Sequence, residues 1–301
     1  MDNFTMPVRL AHLSDPHLWV PDCAWRWQDW LSKRIFTWMN LRVFRRWKRF
    51  AVADHVLERL AAELTTRNFD RVIFSGDATA LGFAAEQRRA AELLQTERLP
   101  GLAVPGNHDY CTHHAADSGA FERYFATWQQ GERLDGCTYP FAQRVGDTWL
   151  IGVNSAKANR GFWDASGRTG REQLDRLRRL LQQLSPGLRI LVTHYPICLA
   201  NGRSETFAHG LNDLRETVEV AAAGGVGLWL HGHRHRFFWQ PCPPFAPFPV
   251  ICAGSATQTG LWSYGEYVID GNRLAGTRRE YNPAQDAFRD AETFELALRI
   301  D

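Results

Sequence analysis

The sequence contains seven short apolar runs, and five of them end directly in residue types that bind metals or phosphate. The runs occupy residues 8–14, 71–76, 101–106, 148–155, 189–194, 226–232 and 249–255. Their valine, isoleucine and aromatic content predicts a β-strand at each position. Leucine or valine recurs every three or four residues at 52–64 and 171–184, which predicts amphipathic helices. Because strands alternate with helices, we expect an α/β layered fold with at least partly parallel sheets.

The polar residues that follow these strands comprise three carboxylates, one amide and five imidazoles. They are Asp15 and His17 after the first strand, Asp77 after the second, Asn107, His108 and Asp109 after the third, His194 after the fifth, and His233 and His235 after the sixth. Taken singly, each motif is more often a turn or a chance pairing than a site. Ligand sites in α/β sheets lie outside the carboxyl ends of strands, so the five loops together predict one metal site.

The order of the motifs, Asp-x-His, Gly-Asp, Gly-Asn-His-Asp, His and Gly-His-x-His, resembles the calcineurin-like metallophosphoesterase superfamily over residues 15–235. This resemblance implies a four-layer α-β-β-α sandwich of two mixed β-sheets flanked by helices, with two divalent metal ions. It implies that the first ion is bound by Asp15, His17, Asp77 and His235. It implies that the second ion is bound by Asp77, Asn107, His194 and His233, so that Asp77 bridges the two.

Coordination chemistry agrees with these implied roles. Two cations about 3.5–4 Å apart need a shared carboxylate between them, and Asp77 can supply it. A mixture of imidazole and oxygen ligands suits Mn, Fe or Zn better than Mg or Ca. Such a pair of ions supplies a hydroxide that attacks phosphorus. His108 lies beside a ligand without being one, so we expect it, together with Asn107, to be catalytic, with His108 protonating the leaving oxygen.

One departure from the family pattern concerns the residues after the Gly-Asp motif. In the protein-phosphatase branch, the third position after that aspartate is a second Asp, which orients the catalytic His, and an Arg for phosphate follows. This chain has Ala80 and Leu81 there. The departure argues against a phosphoprotein phosphatase and leaves the residue that orients His108 open, with Asp109 its neighbour in sequence.

Four further histidines, His113, His114, His209 and His231, are expected to be structural or exposed to solvent. His209 is the best exception, because it precedes a predicted helix and could face the substrate.

Residues 19–50 form a basic aromatic insert between the first two motifs. The insert holds eight Lys or Arg against two Asp, and six of the twelve tryptophans. One hypothesis is a helical flap that packs its aromatic side chains into the protein. A second is a membrane-surface element at 25–50, with Trp and Phe in the headgroup region and cations on anionic lipid. Nucleic acid is disfavoured, because the net charge of the chain is only +2.

The insert also resembles a segment of bacterial metallophosphoesterases related to enzymes that cleave the pyrophosphate of UDP-diacylglucosamine. We therefore expect one domain over 1–301 that hydrolyses a phosphodiester or pyrophosphate at or near the membrane, on a small or lipid-linked substrate. The alternatives are a soluble cyclic-nucleotide phosphodiesterase and a non-catalytic scaffold, although no expected ligand is missing. Because the chain lacks a signal-peptide pattern, a Cys-x-x-Cys pair and a spanning apolar run, we expect it in the cytoplasm or peripherally at the inner membrane surface.

Overall fold

The computed structural model describes residues 6–21, 23–43 and 46–299. Within these ranges, two mixed β-sheets pack face to face and helices cover their outer faces. This arrangement confirms the predicted four-layer α-β-β-α sandwich.

The described residues form thirteen β-strands. They are β1 (Val8–Leu13), β2 (Arg71–Phe74), β3 (Gly101–Ala103), β4 (Glu132–Arg133), β5 (Phe141–Val145), β6 (Thr148–Gly152), β7 (Leu188–Val192), β8 (Val226–His231), β9 (Phe237–Gln240), β10 (Val250–Ala253), β11 (Ser263–Asp270), β12 (Arg273–Asn282) and β13 (Ala287–Ala297). The α-helices are α1 (Lys33–Arg42), α2 (Ala53–Thr66), α3 (Ala84–Leu93), α4 (His113–Asp117), α5 (Ala120–Tyr124), α6 (Arg171–Gln183) and α7 (Leu214–Ala223). Short 3₁₀ helices span Trp27–Leu31, Arg46–Phe50 and Ala126–Gln129.

The first sheet is parallel from β1 to its edge strand β3 and antiparallel on the other side, whereas the second sheet has a parallel centre and antiparallel edges. In the described residues the first sheet has the order β13-β12-β11-β1-β2-β3, and the second has the order β4-β5-β6-β7-β8-β10-β9. Strands β1, β2 and β3 are parallel to one another, as are β6, β7, β8 and β10. Parallel neighbours place their carboxyl ends at the same edge of each sheet, which is where the predicted site residues follow.

Alternate side chains of the strands form separate apolar layers, because successive residues of a strand point to opposite faces. Leu10 of β1 and Leu228 of β8 lie between the sheets. Leu13 of β1 packs under α2 and α3, while Trp229 of β8 packs under α6 and α7. The predicted leucine stripe of α6 is buried in this outer layer; each such side chain contributes roughly 1.5–3 kcal/mol by burial.

All seven predicted strands and both predicted helices are present, with shorter strands than expected. The C-terminal residues of several predicted strands, such as Ser75 and Val104, lie instead in the loops that carry the site. A tight turn joins β11 to β12, with Gly271 at φ 54°. Strand β13 was not predicted, because most of its side chains are exposed and several are charged.

The insert is helical and packs on the loop between β2 and α3. Trp25, Trp38 and Leu41 pack against a small buried cluster formed by Leu81 and Phe83 with Ala80. Several other large apolar side chains among the described residues of the insert are exposed, including Trp27 at 71% and Leu31 at 80%. No helix among the described residues is long and apolar enough to cross a membrane.

Candidate metal centre

The loops that follow β1, β2, β3, β7 and β8 meet where the two sheets face each other. The first group of side chains there contains Asp15, His17 and His235. The His235 Nε2 atom lies 3.3 Å from Asp15 Oδ1 and 3.0 Å from His17 Nε2, and His17 Nε2 lies 3.6 Å from Asp77 Oδ2. These are the four residues that the family resemblance assigns to the first ion.

The second group lies on the other side of the same Asp77 oxygen. His194 Nε2 is 3.4 Å from Asp77 Oδ2 and 3.2 Å from Asn107 Oδ1. His233 Nδ1 is 3.1 Å from Asn107 Oδ1 and 3.3 Å from His194 Nε2. These are the residues assigned to the second ion, and Asp77 Oδ2 lies within reach of both groups.

The spacing of these nitrogen and oxygen atoms suits bound cations. With bonds of about 2.1 Å, neighbouring ligands of a tetrahedral or octahedral ion lie about 3.0–3.4 Å apart, close to the distances observed. Asp15 Oδ1 is buried and has no hydrogen-bond partner among the described residues, so a cation would satisfy it. Potential ligand atoms of Asp15, Asp77 and His194 all lie within 4.8 Å of one another. The two groups, which share Asp77, have the donor types and spacing of a dinuclear divalent metal centre.

Three of the histidines are held by their second ring nitrogen, as metal-binding histidines usually are. His194 Nδ1 donates to Ser75 O at 2.8 Å, and His17 Nδ1 donates to Thr79 O at 3.3 Å. His235 Nδ1 donates to Gln258 Oε1 at 2.5 Å. Since these acceptors take a hydrogen from Nδ1, the Nε2 lone pair of each ring is directed at the site.

The backbone of the site is unusual, because several of its residues adopt left-handed conformations. Nine non-glycine residues in the described part of the chain have positive φ, and five of them are predicted ligands. The five are Asp15 (φ 54°), His17 (φ 45°), Asp77 (φ 57°), His233 (φ 71°) and His235 (φ 57°). Such conformations cost of order 1–3 kcal/mol each and concentrate at functional sites.

Asp109 ties the loops after β2 and β3 together. Its buried carboxylate accepts hydrogen bonds from the backbone nitrogens of Asp77 at 2.9 Å, Thr79 at 3.1 Å and Gly106 at 2.9 Å. Gly106 is required for this close approach, since a Cβ there would lie 2.2 Å from Asp77 Oδ1. Burial, followed by the charge of Asp77, raises the pKa of Asp109 to about 7.

The charges of the site are strongly coupled. Although burial alone would raise the pKa of Asp77, His194, His108 and His17 hold it below its ordinary value. Burial opposes protonation of His194, but Asp77 raises the pKa of His194 to about 9. Burial lowers the pKa of His17. A cation bound at His194 Nε2 would therefore compete with a proton for that nitrogen.

His108 is oriented by the backbone of the position at which the family pattern departs. Its Nδ1 donates to the carbonyl oxygen of Ala80 at 2.8 Å, and its backbone nitrogen donates to Asp77 Oδ1 at 2.7 Å. The ring lies edge-on to His17 at 4.5 Å between centroids. A main-chain carbonyl at position 80 thus orients the ring where an aspartate side chain does so in the protein-phosphatase branch.

Two cavities of opposite character open on this cluster, on either side of the insert. The polar cavity, of about 410 Å³, is lined by Asn107 and His108 together with Lys33, Thr37, Asn40, Cys111, Phe162, Trp163, Ala165 and His209. The apolar cavity, of about 460 Å³, is lined by His17 together with Trp19, Trp38, Leu41, Arg42, Trp47, Phe50, Ala51, Val52, Ala53, Asp54, His55 and Ala80.

All the predicted site residues, including His209, therefore lie at the cluster or at one of its cavities. The other three histidines that were expected to be structural or exposed have different surroundings. His231 is buried with Nδ1 3.0 Å from Gly232 O, His113 is exposed, and His114 Nε2 accepts from Arg26 at 2.6 Å. Sequence reasoning missed Lys33 and Gln258. Neither belongs to a motif, and only the folding of distant segments brings them to the site.

Comparison with known proteins agrees with this geometry. The family model of calcineurin-like phosphoesterases matches residues 8–237. A probable cyclic nucleotide phosphodiesterase of Synechococcus sp. is 30% identical over 185 residues, which are 59% of this chain and 62% of that protein. The chain thus spans less than two thirds of the length of this relative.

Solved structures share the fold at low sequence identity. A dimetal phosphatase from Danio rerio superimposes with a TM-score of 0.65 at 12% identity, covering 96% of this chain and 98% of that one. A purple acid phosphatase from yellow lupin seeds has a TM-score of 0.61 at 12% identity, covering 97% and 54%. As the order of its motifs predicts, this chain belongs to the calcineurin-like phosphoesterase family.

Proposed function

We propose that this enzyme hydrolyses a phosphodiester or pyrophosphate bond of an amphiphilic substrate at a membrane surface, using two ions drawn from Mn, Fe and Zn. The observation that carries the proposal is the pair of cavities. A polar cavity reaches the candidate metal cluster at Asn107 and His108, and an apolar cavity reaches it at His17. A substrate whose phosphate lies on the cluster would have one polar and one apolar flank.

The polar cavity suits a hydrophilic head group. Lys33 supplies a cation there, with its Nζ held by Asp164 O at 2.6 Å. Asn40 and His209 supply hydrogen-bonding groups, and Phe162 and Trp163 supply aromatic walls. These residues fit the phosphates, sugar or base of a nucleotide-like head.

The apolar cavity suits a hydrocarbon chain. Its walls come from the insert and from the start of α2, including Trp38, Leu41, Trp47 and Phe50. Each methylene group buried in such a cavity contributes about 0.8 kcal/mol. A lipid-linked nucleotide such as UDP-diacylglucosamine, which the insert's resemblance suggests, combines both flanks with a pyrophosphate bond.

The outer face of the insert suits contact with anionic lipid. Trp27, Trp30 and Leu31 expose their apolar side chains, while Lys48 and Arg49 lie on the short helix beyond them. The inner face packs on the protein, so the flap and the membrane element describe two faces of one segment. Two other cations of the insert fall outside the description: Arg45 lies outside the described residues, and the side chain of Arg46 is not described.

The protein residues have separable tasks in the proposed reaction. When bound, the two cations would supply a nucleophile from water and screen the phosphate charge. The ligands named above would hold them, with Asp77 shared. His108, with Nδ1 committed to Ala80 O, presents Nε2 to the leaving oxygen as its proton donor. Asn107 would bind the second ion together with His194 and His233.

A second candidate is hydrolysis of a cyclic nucleotide, which the name of the Synechococcus relative favours. In that case the aromatic walls of the polar cavity would take the base, and the apolar cavity would have no role. A non-catalytic scaffold is a weaker candidate, because every ligand position is filled by a residue able to coordinate.

The test is a panel of substrates offered to the Mn-loaded protein: UDP-diacylglucosamine, bis-p-nitrophenyl phosphate, p-nitrophenyl phosphate and cyclic AMP. The amphiphile should have the highest kcat/KM. Leu41→Glu, which puts a charge into the apolar cavity, should lower turnover of the amphiphile at least about tenfold more than turnover of the soluble diester, equivalent to losing about two buried methylenes. Leu41→Met keeps the wall apolar and should keep the preference. If kcat/KM is highest for cyclic AMP and Leu41→Glu does not change that preference, the second candidate is favoured.

A further inference from the structure

Arg34 is a buried cation within the insert, and it binds the protein at several points. Arg34 is only 2% exposed to solvent. Nη1 pairs with Asp29 Oδ1 at 2.6 Å, Nε donates to Leu81 O at 2.9 Å, and Nη2 donates to Gly82 O at 3.0 Å. The guanidinium also lies 3.9 Å from the ring centroid of Phe83. These contacts require the several N–H donors of a planar guanidinium, and the ammonium group of a lysine cannot replace them.

The carbonyls that Arg34 binds belong to the segment that orients His108. Ala80, whose carbonyl accepts from His108 Nδ1, directly precedes Leu81. Glu86 holds the same segment from its amide side, because its Oε2 accepts from the backbone nitrogens of Leu81 and Phe83 at 3.0 Å each. The segment is thus clamped between the insert and the start of α3.

We propose that Arg34, held by Asp29, is a positioning residue for His108, so that correct docking of the insert sets the direction in which His108 delivers its proton. The inference rests on the proton-donor role proposed above for His108. Position 80 offers only a methyl side chain, so the ring depends on where the main-chain carbonyl lies. Arg34 fixes that carbonyl through the next two residues. The insert thereby acts on the chemistry as well as on binding.

A merely structural role for Arg34 would give a different signature. If Arg34 only holds the insert, its loss would lower stability and weaken substrate binding without regard to the leaving group. If it positions His108, its loss would act on kcat, and most strongly where the leaving oxygen needs a proton. A misplacement of about 1 Å costs up to about 10²-fold in rate.

The kinetic test uses Arg34→Lys in the full chain loaded with Mn, with a phenyl diester as the poor leaving group and a p-nitrophenyl diester as the good one. We expect kcat to fall up to about 10²-fold on the phenyl diester and much less on the p-nitrophenyl diester, with little change in KM. In the His108→Asn background, Arg34→Lys should cause no further loss of kcat, because both act through one ring. Equal losses on both esters, or a full further loss in the double variant, would overturn the proposal.

A spectroscopic readout separates positioning from activity. In ¹⁵N-histidine-labelled, zinc-loaded protein, His108 Nδ1 should carry hydrogen both when the ring is neutral and when Nε2 also bears the proton that it delivers. Arg34→Lys should shift or broaden the His108 signal. The matched control is Arg26→Lys, an exposed insert arginine bound to His114, which should leave the signal unchanged. An unchanged His108 signal in Arg34→Lys would refute the proposal. If that variant does not fold, the His108 signal is measured in Asp29→Asn, which keeps Arg34. A shifted or broadened signal would support the proposal, and an unchanged signal would refute it.

Discussion

Replacing His108 by asparagine should separate chemistry from metal binding. The asparagine amide can still donate toward Ala80 O, and the backbone nitrogen of position 108 still donates to Asp77 Oδ1 as in the wild type at 2.7 Å. The candidate ligand groups therefore keep their positions, and the variant should keep its metals. The proton donor is lost, because an amide has no proton to transfer.

The expected loss of kcat is about 10²–10⁴-fold for a substrate with a poor leaving group. This corresponds to about 2.7–5.4 kcal/mol of transition-state stabilisation. The loss should be much smaller for a p-nitrophenyl ester, whose leaving oxygen needs little protonation.

The assay combines kcat for the two esters with elemental analysis of the same preparations. His113→Asn is the matched control, since His113 is exposed on α4, and it should match the wild type in both measurements. Equal losses of kcat on both esters would refute the proton-donor role of His108. Loss of metal from His108→Asn would instead place His108 among the ligands, beside His17 and Asp77 with which it clusters.

Three further predictions concern the surroundings of the site. Burial raises the pKa of Glu86 from 4.5 to about 8, so the folded protein holds that proton more tightly than the unfolded chain. The free energy of unfolding should then fall by at most about 1.4 kcal/mol per pH unit as pH rises from 4.5 to about 8. In urea titrations, Glu86→Gln should make this fall with pH less steep. An unchanged dependence of the unfolding free energy on pH would contradict this explanation. Gly106→Ala should displace Asp77 and weaken retention of both metals on dialysis, and wild-type retention would show that the loop adapts. Lys48→Gln with Arg49→Gln should weaken salt-sensitive flotation with anionic vesicles by about 1 kcal/mol per cation. If the wild-type protein does not bind anionic vesicles at low salt, the proposed membrane contact is wrong.

The convergence of the ligands was predictable because it depends on strand order alone. Asp15 and Asp77 each follow a parallel strand of the first sheet, and His194 and His233 follow parallel strands of the second. Once an α/β fold is inferred, such residues meet at one edge. Their residue types then restrict the chemistry.

Other features of the site depend on contacts that leave no local pattern in the sequence. The acceptor for His108 is a main-chain carbonyl, and any residue at position 80 has one. Gln258 reaches His235 from a loop 23 residues further along the chain. The apolar cavity exists only because the insert folds over the start of α2, and Arg34 is indistinguishable in sequence from the other cations of the insert.

The proposed chemistry depends on the sharing of Asp77 by two metal ions. Elemental analysis of the wild type, Asp77→Ala and Asp117→Ala tests it most directly, because Asp117 is an exposed carboxylate on α4. After loading and dialysis, the wild type and Asp117→Ala should retain two ions per chain, and Asp77→Ala should lose both. Two tightly held ions in Asp77→Ala, or a single ion in the wild type, would contradict the shared centre.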